Sequence, residues 1–156
     1  MAKNEKICYE LLDLTDSEQI IQAVEVLHVC FSGNERYTVD RLVDELKPDR
    51  APFYRQFFVA SLKDSHHPSV VGVAGIKSAD WATETHVLYL SAVHPEFRNQ
   101  GIGRALVKAR MSWLKSNFKQ GRVIVSTGKQ DRFKQLGFYV AASRSYNGKV
   151  LMVTDW

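Results

Sequence analysis

The chain of 156 residues is 24% charged and 45% apolar (AVILMFWYC), with 11% aromatic side chains, which excludes intrinsic disorder and suits one compact domain over residues 1–156. Its 21 Lys and Arg against 17 Asp and Glu leave a net charge of +4. The basic residues are scattered in no dense block, so nucleic acid is not indicated as a partner, and a small phosphorylated ligand fits the charge as well.

The predicted elements alternate in type. Residues 7–14 read as a strand. Thr15, Asp16, Ser17 and Glu18 then place cap-forming side chains ahead of Ile20, Ile21, Val24, Leu27 and Phe31, apolar residues at helical spacing, and a helix is expected over about 16–31. Ser32-Gly33-Asn34 breaks it. Thr38 opens a shorter helix through Leu46, stopped before Pro48. From Phe53 the period becomes extended, and residues 57–62 and 70–76 make a hairpin around the polar turn 63–68. Residues 86–93 are apolar on both alternations, as a central strand covered on both faces requires.

A long helix over 101–118 carries Ile102, Leu106, Val107, Met111 and Leu114 at helical spacing. A strand over 122–127, a short helix over 129–136, and strands over 138–143 and 150–154 around Tyr146-Asn147-Gly148 complete the order. The expected fold class is α/β, with helices packed on a mixed, largely antiparallel central sheet. No stretch approaches the roughly 20 apolar residues of a membrane span, and the N-terminal residues carry no signal-peptide core. Cys8 and Cys30 form no disulfide framework and lack zinc spacing. They point to a reducing, cytoplasmic setting without a membrane.

The chemistry concentrates between the central strand and the long helix, in His94-Pro95-Glu96-Phe97-Arg98-Asn99-Gln100-Gly101-Ile102-Gly103-Arg104. Glycines at alternating positions let a ligand approach the backbone, while the first-turn N–H groups lack helical acceptors and the dipole end is positive. That combination describes an anion site, and the flanking Arg98 and Arg104 suit phosphates. For the glycines alone, close packing of helix on strand is an equally good explanation. The spacing matches neither Gly-x-Gly-x-x-Gly nor the Gly-x-x-x-x-Gly-Lys-Ser/Thr loop.

Arg98-Asn99-Gln100-Gly101-Ile102-Gly103 resembles the pyrophosphate loop of the GNAT superfamily of N-acetyltransferases, and the preceding Val93-His94-Pro95 is also similar to it. Phe133-Lys134-Gln135-Leu136-Gly137-Phe138 resembles the family's second segment. The resemblance implies a GNAT-like acyl-CoA N-acyltransferase fold and acetyl-CoA as acyl donor. It places the cofactor against Ala92, Val93, Arg98, Asn99, Gln100, Gly101, Ile102, Gly103 and Arg104, with Thr127 and Phe133 beyond. The pantetheine would pair along Val93 like an added strand, and a backbone N–H near Ala92 or Val93 would stabilise the oxyanion. The implied acceptor is a primary amine of a small molecule, peptide N-terminus or lysine, and a homodimer is a further partner the family allows. A non-catalytic acyl-CoA-binding module is the alternative.

Two family positions depart from the pattern. Where relatives place a thiolate-protonating tyrosine stands Phe133, leaving the role vacant or to water, Tyr139 or Thr127. Where relatives place a basic glutamate stand Val87, Leu88 and Tyr89, so Glu84 and His86 are the expected bases. Each of these residues has an ordinary structural explanation beside the catalytic one. The acceptor pocket implied by the resemblance spans residues 31–55 and 143–149. Its Glu35, Asp40, Asp44 and Glu45 could recruit a cation or merely form a solvated helix face. His66-His67 lacks a third ligand, so no metal is expected.

Overall fold

The computed structural model describes residues 6–63 and 69–156. Seven strands form one sheet in the order β1-β2-β3-β4-β5-β7-β6, from β1 (Ile7–Leu11), β2 (Arg55–Leu62), β3 (Ser69–Ser78), β4 (Thr85–Val93), β5 (Arg122–Thr127), β6 (Tyr139–Tyr146) and β7 (Lys149–Asp155). All neighbours run antiparallel except β4 and β5, which are parallel. The α/β class and the central place of β4 are as the sequence leads one to expect. The turn with His66 and His67 lies outside the described residues.

α1 (Ser17–Cys30) and α2 (Val39–Leu46) lie on one face, and α3 (Ile102–Asn117) with α4 (Gln130–Gln135) lies on the other. Asp16 caps α1 by accepting from the Glu18 and Gln19 N–H groups, and Thr38 caps α2 through Arg41 N. The first strand ends at Leu11, short of the expected Leu14. Asp13 accepts from both the N–H and the hydroxyl of Thr15, and this side-chain turn takes over from the ladder. Each face of the sheet buries its own core. Leu88, Leu106, Leu114, Val123 and Met152 pack under α3; Leu27, Leu42, Phe57, Val59 and Leu90 pack under α1 and α2.

The β3–β4 ladder is interrupted where it matters. Register passes from Gly75↔Tyr89 to Val73↔Ala92, so the single residue Ala74 faces Leu90 and Ser91, and Leu90 takes φ 46°. This bulge twists β4 locally. Pairing of β4 with β5 ends at Leu88↔Val125, and beyond it the two strands fork apart. Arg110 of α3, 1% exposed, reaches the same level: its guanidinium donates to Gly75 O at 2.9 Å and Leu106 O at 3.1 Å. Burial pulls its pKa down to about 9, which still leaves it charged at neutral pH.

At the opposite end of β4 an aromatic cage of Tyr54, Trp113, Phe118 and Trp156 surrounds His86, which is 3% exposed. Tyr54 is held protonated by burial, and its hydroxyl shares a hydrogen bond of 2.5 Å with His86 Nδ1, while His86 Nε2 is buried without a partner among the described residues. Burial lowers the His86 pKa below the ordinary 6.5. The unfolded chain therefore binds a proton that the folded one refuses, and stability falls as pH drops through about 6.5, levelling below the folded pKa. The double variant Tyr54→Phe, His86→Phe, which leaves no orphan hydroxyl, should lose less thermal stability between pH 7.5 and 5.5 than the parent. Equal losses in melting temperature would show that His86 does not set this slope.

Candidate active site

The fork between β4 and β5 opens toward the N-terminus of α3. Gly101 is the N-cap residue at φ 79° and Asn99 stands at φ 61°, two left-handed residues that turn the chain into the helix. Among the described residues no side chain caps α3. The intrahelical ladder starts with Ala105 N to Gly101 O, so the N–H groups of Ile102, Gly103 and Arg104 are left for another acceptor. Gly101 has open space where a side chain would stand, and only the Arg132 guanidinium of α4 lies over Gly103. The cradle thus collects a helix dipole, bare backbone donors and cations. Such a combination suits an anion.

The structure distributes the two predicted arginines differently. Arg104 stays at the cradle and donates to Gln135 Oε1 of α4. Arg98 turns back: its Nε donates to Val93 O at 3.1 Å and its guanidinium lies 3.5 Å from Cys30 Sγ, which itself contacts Val93 O at 3.4 Å. It ties the end of β4 to the end of α1. Arg132 takes the place beside the glycines, a role the sequence pattern did not single out because the α4 motif is recognised by its Phe133 and Leu136-Gly137-Phe138.

Of the remaining predicted positions, Ala92 and Val93 lie past the bulge, back in register with Val73 and Gly72, whereas Leu90 and Ser91 are the β4 residues set out of register at the fork. Thr127 is buried at the end of β5, with its Oγ1 accepting from Lys129 N at 2.9 Å. Phe133 is 6% exposed and packs edge-on against Phe138.

The proposed acid and bases do not converge on the fork. Tyr139 is exposed on β6, paired with Val153, two strands beyond β5 and on the other face of the sheet from Phe133. His86 precedes Leu90 by four residues, about 13 Å along the strand. Its ring is enclosed in the aromatic cage. Glu84, at φ 51°, binds the Gln120 amide at 3.1 and 3.2 Å, still farther from the fork. These placements follow from pairing: β4 is bound to β5 along its first half, so only residues past Leu88 can face an opening.

What the fork does face is a polar cluster on the α1–α2 side. Tyr89, the first β4 residue beyond the last β5 pair, donates its hydroxyl to Glu45 Oε2 of α2 at 3.1 Å, and Arg55 of β2 donates to the same oxygen at 3.4 Å. Lys77 Nζ lies 4.4 Å over the Tyr89 ring. Burial and the adjacent Glu45 carboxylate raise the Tyr89 pKa far above the ordinary value, so the phenol stays protonated. Of the acidic residues named for the expected acceptor pocket, Asp44 binds Lys47 on the surface while Glu45 is drawn inward. In the sequence the cluster's only trace is polar residues, Arg55 and Lys77, at the margins of apolar strand runs. Among the described residues no group of three His, Cys, Asp or Glu could hold a metal, and no helix is long and apolar enough to cross a membrane.

The family model for the acetyltransferase (GNAT) family matches residues 21–142. No curated protein matches the chain. Many solved structures share the fold, among them Escherichia coli ElaA (TM-score 0.72, 14% identity, covering 95% of this chain and 99% of that one). An acyl-CoA N-acyltransferase from Pseudomonas aeruginosa is similar at TM-score 0.71 and 11% identity, covering 95% and 97% of the two chains. A chain of the NatC complex, bound to Gag peptide and CoA, is similar at TM-score 0.74 and 15% identity, covering 97% of this chain and 99% of that one.

Because Arg98 braces β4 and Arg104 faces the cradle, the two should separate in stability measurements. Arg98→Ala should cost about 1 kcal/mol in urea unfolding through the lost bond to Val93, and Arg104→Ala under about 0.5. Indistinguishable midpoints would remove the bracing role.

Proposed function

Because the chain belongs to the acetyltransferase (GNAT) family, we propose that it is an acetyl-CoA-dependent N-acetyltransferase that moves an acetyl group to a primary amine. One observation carries the proposal: the only parallel strand pair among the described residues opens after Leu88↔Val125 toward the uncapped N-terminus of α3. In this reading the backbone N–H groups of Ile102, Gly103 and Arg104 hold the CoA pyrophosphate, and Arg104 and Arg132 neutralise its charge. The open space at Gly101 fits a ligand lying against the backbone, and the Arg132 guanidinium stands over Gly103 beside it. β4 past the bulge offers an unpaired edge for the pantetheine arm. Acetyl-CoA supplies an acetyl group already activated as a thioester.

The protein's part is orientation and charge. A β4 backbone N–H at the bulge, Leu90 or Ser91, is placed to donate to the oxyanion, slightly earlier in the strand than Ala92 or Val93. Phe133 provides no proton. An acceptor that arrives as an ammonium first gives one proton to solvent; the neutral amine then attacks the thioester carbon, the C–S bond breaks, and the proton lost from nitrogen passes through water to the departing thiolate, so CoA leaves as the thiol without a dedicated acid. Glu84, His86 and Tyr139 have no part in this scheme. A second reading, an acyl-CoA-binding module without turnover, is favoured by the phenylalanine buried at position 133. Amine-dependent thiol release from acetyl-CoA decides for the transferase, and CoA binding without thiol release across a broad amine panel decides for the module.

Two results are expected of the cradle. Gly101→Val, which puts a β-branched residue at φ 79°, should weaken CoA binding by well over tenfold in calorimetry while the protein remains folded. Unaltered affinity in a folded variant would refute the cradle. Arg104→Ala combined with Arg132→Ala should weaken CoA binding and flatten its dependence on salt, since the Debye length is only about 8 Å at physiological ionic strength. Parallel salt dependences for parent and variant would place the phosphates elsewhere.

A further inference from the structure

The cluster at the fork also bears on which amine is accepted, an inference that rests on the transferase reading above. α1 packs on β3 and β4 and α2 on β2, so the sheet face formed by β5, β7 and β6 is left largely uncovered by helices. Strand register lines up Arg55, Lys77, Val87, Ile124 and Val153 across that face. Val87 and Ile124 are half-buried, and Leu151 in the next row is 40% exposed. An acceptor approaching the fork from this side meets the apolar Val87, Ile124 and Leu151, with Glu45 and Lys77 at the β2–β3 end and, one row before Ile124, Arg122 already paired with Asp155.

Those charges are unequally satisfied. Glu45 Oε2 receives Tyr89 and Arg55, while Glu45 Oε1 has no hydrogen-bond partner among the described residues. Arg55 Nε is also 3.8 Å from Asp49 Oδ2. Lys77 has neither a hydrogen bond nor an ion pair among the described residues; the Tyr89 ring fixes its ammonium beside the phenol that Glu45 accepts. Arg55 and Lys77 together balance Glu45 and Asp49, so a plain amine would arrive as an extra cation next to an unpaired ammonium. A molecule with its own anion would add no net charge and would satisfy Lys77.

We propose that the acceptor is an amine that carries a carboxylate, an α-amino acid with an apolar side chain, whose ammonium is received by Glu45 and the Tyr89 hydroxyl and whose carboxylate is received by Lys77. The side chain rests on Val87, Ile124 and Leu151. Gly75 makes the arrangement sterically possible: a Cβ there would stand 2.7 Å from the Phe57 ring and 2.9 Å from the Tyr89 ring.

The test measures thiol release from acetyl-CoA with matched pairs, leucine against isoamylamine and phenylalanine against phenethylamine, in the parent and in Lys77→Gln. The parent should favour each amino acid over its decarboxylated partner by at least tenfold in kcat/KM, and Lys77→Gln should bring that ratio to about one, with melting temperature confirming that the variant folds. If the plain amines are used as well as the amino acids, or if Lys77→Gln leaves the ratio intact, the proposal is wrong while the transferase reading stands. Should no amine be turned over, calorimetry of leucine on the CoA-saturated protein decides: binding abolished by Lys77→Gln supports the carboxylate site, and no binding overturns it. Loss of CoA binding by the parent would instead mark failure of the transferase reading.

Discussion

The bulge in β4 is the constraint from which the site follows. A sheet of seven strands has no opening unless two neighbours stop pairing, and here one extra residue in β4 breaks its register with β3 and lets it leave β5 after four paired residues. A leucine in the left-handed region costs about 1–2 kcal/mol. Leu90 bears that cost because its side chain is 7% exposed in the core beneath α1, so packing holds the backbone in a conformation it would not choose. On the other face Arg110 grips the carbonyl of Gly75 beside the irregularity. A charged group in the core between α3 and the sheet is expensive unless its donors are used, and two backbone carbonyls use them.

In the proposed reading the two faces of the fork divide the work. Toward α3 and α4 lie the bare N–H groups and the cations Arg104 and Arg132, a setting for phosphate. Toward α2 lie Glu45, Tyr89 and Lys77, a setting for a polar organic acceptor. The helices can specialise in this way because the sheet separates them, and the one place where the two environments meet is the gap that the bulge creates.

Much of this was legible in the sequence where physical signals are local. Helical spacing, caps and the strand-to-helix glycines marked the elements, the central position of β4 and the uncapped start of α3, and Arg98-Asn99-Gln100-Gly101-Ile102-Gly103 indicated the family. What remained hidden depends on three-dimensional register. Nothing in residues 86–93 reveals that Leu90 begins a bulge, and Glu84 and His86 were the titratable groups nearest in sequence to the replaced glutamate, at a strand start that pairing with β5 closes. Arg98 and Arg104 look alike as flanking cations, yet one is used by a strand end. Glu45 stood with Asp40 and Asp44 on one short helix, and only the meeting of α2 with Arg55 and Tyr89 distinguishes it.

The aromatic cage around His86 has an optical consequence. Of the three tryptophans, Trp113 and Trp156 stand at the cage and Trp81 is 72% exposed in the turn before β4. The fork, the cradle and the Tyr89 cluster contain none. Tryptophan emission therefore reports on the far end of the sheet, and a ligand could fill the fork without changing it. A tryptophan introduced on the open face, for instance at Leu151, would give the protein a voice where it is otherwise silent to light.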